Sequence, residues 1–290
     1  MKIASYHRGG ALRAAAVVDG ALVDLQDADP ALPSTVLALL EAGADALAAA
    51  SKAALRARER IDLATVRLAA PVPRPPKLLA IGLNYRDHAE ESGQPIPEVP
   101  VVFNKQSTCV TGPYDDVHLP RISPMLDYEG ELGVVIGRRC RHVPREKARS
   151  VTAGFVVVDD VTVRDWQLRT PTWTMGKSFD THGPMGPFLV TADELDPADL
   201  AIATFVNGEL RQSSRTSQLI FDCDALIEHL STAFTLEPGD VISTGTPAGV
   251  GMARNPPRML AAGDVVAVEI EGIGRIENRV VAEPAQTTLY

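Results

Sequence analysis

Asp127-Tyr-Glu-Gly-Glu-Leu-Gly-Val-Val-Ile136 places two carboxylates two residues apart at the head of a run that is apolar everywhere except Gly133. Such a run reads as a buried strand, and successive strand side chains alternate faces, so Glu129 and Glu131 point the same way. Two like charges beside a core strand are costly unless a cation accompanies them. A second short apolar run, Phe155-Val-Val-Val158, leads into Asp159-Asp160 and offers a third carboxylate. Three oxygen ligands leave half of an octahedral shell for water and a chelating substrate, which suits Mg2+ or Mn2+ better than zinc. On spacing alone, a solvated edge and an Asp-Asp turn remain as open as a metal site.

Other strand-length apolar runs follow the same pattern from Leu78 to Val281. Before them, Lys2 to Tyr6 and Leu12 to Val18, the Asp19-Gly20 pair and Ala21 to Leu25 read as a hairpin and a further strand. Helices are expected over Ser34 to Ala42 and Asp45 to Ile61, with Ser34 and Asp45 as caps, and over Asp224 to Phe234, capped by Asp222. Four prolines between Pro71 and Pro76 cannot continue a helix or a central strand. The expectation is a mostly β, α+β protein: a small N-terminal α/β domain over 1–70, a Pro-rich linker over 71–76, a catalytic domain over 77–283 and a tail over 284–290.

Composition narrows the function. Hydrophobic residues make up 45% and charged residues 22%, so a packed core is expected. The formal charge of −9 argues against nucleic acid and anionic lipid as partners. Cys109, Cys140 and Cys223 are odd in number and widely spaced, which supports neither a disulfide framework nor a zinc knuckle. With no apolar leader and no long apolar run, a cytoplasmic location and no membrane contact are expected.

Three further segments carry polar chemistry. In Asn84-Tyr-Arg-Asp-His88, a helical turn sets His88 three residues from Glu91, so the pair can act as a base and its orienting carboxylate. The other five histidines read as structural. Thr162-Val-Arg-Asp165 matches a capping box, which starts a short helix bearing Arg164 and Gln167. Gly176-Lys-Ser178 lacks the earlier glycine of a phosphate loop, and Gly245-Thr-Pro-Ala-Gly-Val-Gly251 lacks dinucleotide spacing; the latter reads as a tight loop whose backbone approaches a ligand.

Taken in order, GLNYRDHAEE, DYEGELGVVIG, VVDDVTVRDWQ, WTMGKSFDTHGPMGPF, VNGELRQ and PGDVISTGTPAGVG resemble the fumarylacetoacetate hydrolase family from Lys77 to Val281. The resemblance implies a β-roll catalytic domain, a homodimer and a resident Mg2+, with Mn2+ or Ca2+ as substitutes. It implies Glu129, Glu131 and Asp160 as metal ligands, His88, Glu91 and Lys177 as catalytic residues, and Arg164, Gln167 and Thr246 as substrate anchors. It also implies that the NYRDH segment closes over bound substrate.

The reaction expected from the resemblance is hydrolysis of a carbon–carbon bond in a 2,4-dioxo acid, an acylpyruvate or fumarylpyruvate, through a metal-stabilised pyruvate enolate, in aromatic-compound breakdown. Oxaloacetate decarboxylation and 2-hydroxymuconate-type isomerisation or hydration pass through the same enolate and stand as alternatives. A non-catalytic 2-oxo-acid-binding protein is the alternative from another class.

Overall fold

The computed structural model describes residues 1–287, so the last part of the expected tail, 288–290, lies outside the described residues. The chain opens with the strands Lys2–Arg8, Ala11–Val18 and Ala21–Asp24, and Asp19 and Gly20 turn the second hairpin with φ of 51° and 78°. Positive φ at both central residues is what the tight hairpin turn requires.

These strands do not form a sheet of their own. Lys2–Arg8 pairs with Gly183–Thr191 at Lys2↔Val190 and Ile3↔Leu189, and the sheet continues through Thr152–Asp159, Gly130–Ile136, Val241–Ser243, Leu78–Gly82 and Val101–Lys105. The composition changes at Pro71–Pro76, yet the sheet runs across it. Val72 is fully buried in a core shared by Ile3, Leu39 and Leu40 from one side of this segment and Val135, Val156 and Met185 from the other. The segment is packed between the two parts instead of tethering them.

A five-stranded sheet, ordered Glu209–Arg215, Ala201–Val206, Val265–Ile270, Gly274–Ala282 and Val117–Leu119, closes the roll over the other face. Between the sheets Leu132, Val134 and Ile136 meet Ile202, Val268, Ile270 and Ile276, with Leu226, Ile227 and Leu230 of the helix Cys223–Ala233. The strand Gly130–Ile136 thus feeds alternate residues into two cores, which explains why its sequence is apolar without alternation.

The helices differ from expectation at their ends. The first runs Val36–Glu41, and Thr35 rather than Ser34 caps it, its hydroxyl accepting from Ala38 N at 3.3 Å. The second runs Ala44–Arg56 with no side-chain cap from Asp45; it stops short of Ile61 because Ile61 joins the sheet edge opposite Leu22. Asp222 caps Cys223–Ala233 as expected, accepting from Ala225 N at 2.9 Å. No helix among the described residues is long and apolar enough to cross a membrane.

The N-terminal strands are fastened by Asp24, which accepts from Tyr6 Oη at 2.6 Å and from Arg13 Nη2 at 2.6 Å. Burial pushes the Asp24 carboxyl up, but hydrogen bonds from Arg13 and Tyr6 outweigh it and bring the pKa down from 3.8 to about 2. Because the folded value lies below the unfolded one, the stabilisation is complete above the unfolded value and is lost as pH falls through the folded one. Asp24→Asn is expected to cost about 2 kcal/mol at neutral pH and to flatten the fall in stability between pH 4 and 2, as read by denaturant unfolding across that range.

Candidate active site

Glu131 is the second residue of Gly130–Ile136, and Glu129 precedes that strand by one residue. Their neighbour Thr152–Asp159 aligns Asp159 with Gly130, so the next residue, Asp160, arrives beside Glu129 and donates its N–H to Glu129 O at 2.8 Å. One carboxylate oxygen from each of Glu129, Glu131 and Asp160 then lies within 4.8 Å of the others, and all three residues are buried. The intervening Gly130 is dictated by space: a Cβ there would stand 2.2 Å from Thr204 Oγ1 and 2.9 Å from Val268 Cγ1.

Three basic side chains are folded in with the acids. Lys177 Nζ donates to Glu129 Oε2 and to Asp160 Oδ2, each at 2.7 Å, and sits 5.1 Å from the centre of the Phe103 ring. Arg164 Nη1 donates to Glu129 Oε1 at 2.6 Å and to Gln167 Oε1 at 3.0 Å, while its Nε donates to Asp127 Oδ2 at 2.8 Å. Lys105, with no exposed side-chain surface, donates to Asp160 Oδ1 at 2.6 Å, to His182 O at 2.9 Å and to Lys177 O. Burial pushes the Lys105 ammonium down, but Asp160 outweighs it and leaves the pKa raised.

The same balance separates the carboxylates. Burial pushes Glu129 up, but Lys177, Arg164 and, less strongly, His88 bring it down to about 2. Glu131 is raised well above the carboxylate range by burial and by the charges of Asp160 and Glu129. Its Oε2 accepts from Ser243 Oγ at 2.6 Å and from Gly245 N at 2.8 Å, and among the described residues no basic side chain donates a hydrogen bond to it. The loop at Gly245, expected to approach a ligand with its backbone, therefore approaches Glu131.

The other expected residues gather around this cluster. His88 and Glu91 share the helix Arg86–Ser92, with His88 Nδ1 3.3 Å from Glu91 Oε2, and Glu91 accepts from Gly249 N at 3.0 Å. The Thr246 hydroxyl donates to Gly130 O at 3.0 Å and accepts from Gln212 Nε2 at 2.8 Å, so its nearest partners are backbone and a neighbouring amide. The helix with Arg164 and Gln167 spans Arg164–Gln167 but lacks the expected cap, because the Thr162 hydroxyl donates to Asp160 O at 2.8 Å instead. Trp173, half-buried, lies edge-on to Phe103 at 5.4 Å and close against Gly82, where a Cβ would stand 2.4 Å from its ring.

Sequence reasoning passed over Lys105, Asp127, Asp159, Gln212 and Ser243. Asp159 accepts from Glu129 N at 2.8 Å, and Asp127 accepts from Gly251 N at 2.8 Å as well as from Arg164. For Asp127, Asp159 and Ser243 the available signal was position, since each lies in a strand whose neighbouring residues are buried. His182 behaves as expected of a structural histidine; burial lowers it to about 3, and its Nε2 pairs with His118 O at 2.8 Å.

The donor set fits a divalent cation. Lys177 and Lys105 between them match Asp160, and Lys177 and Arg164 match Glu129, which leaves Glu131, among the described residues, with no basic hydrogen-bond donor; an all-oxygen set of this kind suits a hard ion. A buried carboxylate triad braced by lysines, at the end of a β-roll, defines a metal-dependent enzyme class. The chain belongs to the fumarylacetoacetate hydrolase family: the model of the fumarylacetoacetate hydrolase C-terminal domain matches residues 77–281.

A relative from Rattus norvegicus named as a mitochondrial oxaloacetate tautomerase is 46% identical over 266 residues, 91% of this chain and 85% of its own length. The crystal structure of a putative HpcE protein from Mycobacterium smegmatis is 40% identical with a TM-score of 0.86, covering 98% of this chain and 100% of its own. Maleylpyruvate hydrolase from Sphingobium sp. SYK-6, solved with manganese(II) and pyruvate, is 33% identical with a TM-score of 0.81 over 98% of this chain and 100% of its own.

Calorimetric titration with MgCl2 or MnCl2 is expected to show one ion taken up per chain. Glu131→Gln keeps an oxygen for Ser243 and Gly245, so the fold is expected to survive while affinity falls by about 100-fold or more. Equal uptake by this variant and the parent would remove Glu131 from the site.

Proposed function

We propose that this chain interconverts the keto and enol forms of a small 2-oxo dicarboxylic acid of the oxaloacetate type, with a divalent metal as cofactor. The observation that carries the reading is the convergence of three buried carboxylates beside a lysine ammonium, which suits the formation of an enolate. The choice of substrate is supported by the rat relative named for oxaloacetate tautomerisation, at 46% identity. This reading sets the expected carbon–carbon hydrolysis in second place.

Glu129, Glu131 and Asp160 would hold the ion, which when bound supplies Lewis acidity toward the carboxylate and 2-oxo oxygens of the substrate and so acidifies the hydrogens at C3. Lys177, fixed at 2.7 Å from both Glu129 and Asp160, provides an ammonium donor for the oxygen that gains charge as the C3 proton leaves. His88, with Nδ1 turned to Glu91, keeps Nε2 to take that proton and return it to oxygen or carbon. Arg164, Gln167 and Thr246 are proposed to receive the substrate's carboxylates.

Hydrolysis of an acylpyruvate, with His88 activating a water, is the second reading, favoured by the hydrolase solved with pyruvate at a TM-score of 0.81. Breakdown of aromatic compounds belongs to that reading, and decarboxylation of oxaloacetate would use the same enolate. We also propose Mg2+ as the resident ion because every donor is oxygen. A homodimer is proposed on the exposed apolar residues Ile96, Val99, Val101 and Val102 around an edge strand, and a cytoplasmic location on three free cysteines.

With Mg2+ present, the purified enzyme is expected to speed ketonisation of enol-oxaloacetate, followed by loss of enol absorbance. His88→Ala is expected to lower the rate by about 100-fold or more. Pyruvate release from acylpyruvates without tautomerisation would move the assignment to the hydrolase. Binding of oxalate with no turnover of any 2-oxo acid would leave the non-catalytic binder.

A further inference from the structure

The helix Arg86–Ser92 carries His88 and Glu91, yet it buries only Ala89 and has no side-chain cap at its start. Residues 90–96, the end of this helix and the chain just beyond it, are exposed. A helix of seven residues with so little apolar contact is not held by packing or by propensity, so its polar contacts decide where His88 stands.

Arg86 Nη1 donates to Leu219 O at 3.3 Å at the start of the helix, and the remaining contacts beyond the helix lie on one face. Asp87 and Glu91 are four apart and so share a side of the helix. Glu91 accepts from Gly249 N through both oxygens at 3.0 Å, and Asp87 Oδ1 accepts from Ala248 N at 3.4 Å. The strongest contact reaches a different sheet: Ser214 Oγ donates to Asp87 Oδ2 at 2.5 Å.

Ser214 is not an isolated partner. It lies two residues after Gln212 on the strand Glu209–Arg215, so both side chains leave the same face. Gln212, almost fully buried, donates to Thr246 Oγ1 and Pro247 O, each at 2.8 Å, and accepts from Gly130 N at 3.0 Å, between the two glutamates of the cluster. One strand face therefore ties together the carboxylate strand, the Thr246 loop and the His88 helix.

We propose that Asp87 and Ser214 form a latch that fixes the His88 helix over the carboxylate cluster, with Asp87 a positioning residue for His88. The proposal rests on the assignment of His88 as the proton carrier. With the latch released, the helix keeps Arg86 on Leu219 O and Glu91 on Gly249 N, and Glu91 also has to orient the imidazole.

The test compares Ser214→Ala, Asp87→Ala, the double variant and Ser214→Thr, each loaded with Mg2+. Each single alanine variant is expected to lower kcat for enol-oxaloacetate by about tenfold, the size of one hydrogen bond to a charged group. Both are expected to speed amide hydrogen exchange across Arg86–Ser92 while leaving Mg2+ affinity within about twofold, since neither side chain bonds Glu129, Glu131 or Asp160. The double variant is expected to be no worse than either single one, and Ser214→Thr to restore both rate and protection.

Unchanged exchange in both single variants would overturn the latch, as would losses in the double variant equal to the product of the singles. A fall in Mg2+ affinity alongside the rate would also overturn it, by making the contact part of the cluster's scaffold. If Asp87→Ala does not fold, Ser214→Ala decides alone, because it removes one hydroxyl from a half-buried site. If the parent enzyme turns over no 2-oxo acid, the functional reading falls while exchange and Mg2+ affinity still decide the latch.

Discussion

The repulsion among Glu129, Glu131 and Asp160 organises everything near them. Burial makes each charge expensive, and proximity makes each raise the others. Lys177, Lys105 and Arg164 answer two of the three acids, and the third, Glu131, accepts from the Ser243 hydroxyl and the Gly245 N–H. The basic residues come from segments far apart in sequence, so neutralising the cluster and closing the roll are the same event. A sheet that failed to bring Lys105 against Asp160 would leave an ammonium and a carboxylate both buried and unmatched.

The two-sided burial of Gly130–Ile136 is the architectural counterpart. One set of its residues packs toward the five-stranded sheet and the helix Cys223–Ala233, and the other toward the N-terminal helices. The N-terminal strands therefore share a core with Val135, Val156 and Val158 of the strands that carry the cluster. Their union with the large sheet at Ile3↔Leu189 makes the N-terminal strands an extension of the sheet that carries Glu131.

Much of this was legible in the order of residues. An acidic pair at the head of an apolar run, and Asp-Asp at the end of another, offered three carboxylates because strand alternation converts spacing into facing, but spacing left a solvated edge equally open and only the family resemblance joined the three. The His88–Glu91 pair was legible for the same reason, since helical spacing is local. Lys105 and Gln212 were not, because their meaning lies in partners 55 and 82 residues away. Helix ends were misread by a few residues where a neighbouring strand recruited the flanking chain, as at Ile61, or where a hydroxyl had a better partner, as at Thr162. The Pro-rich segment looked like a tether because prolines exclude regular structure, but excluding regular structure does not prevent burial.

The indole of Trp173 rests directly on Gly82, two residues before Asn84, whose amide is bonded to Phe221 and Thr244. Its emission is consequently a native optical gauge of the joint from which the His88 segment departs, free of any attached dye. The second tryptophan, Trp166, packs against Phe179, so one conservative replacement there would isolate the signal.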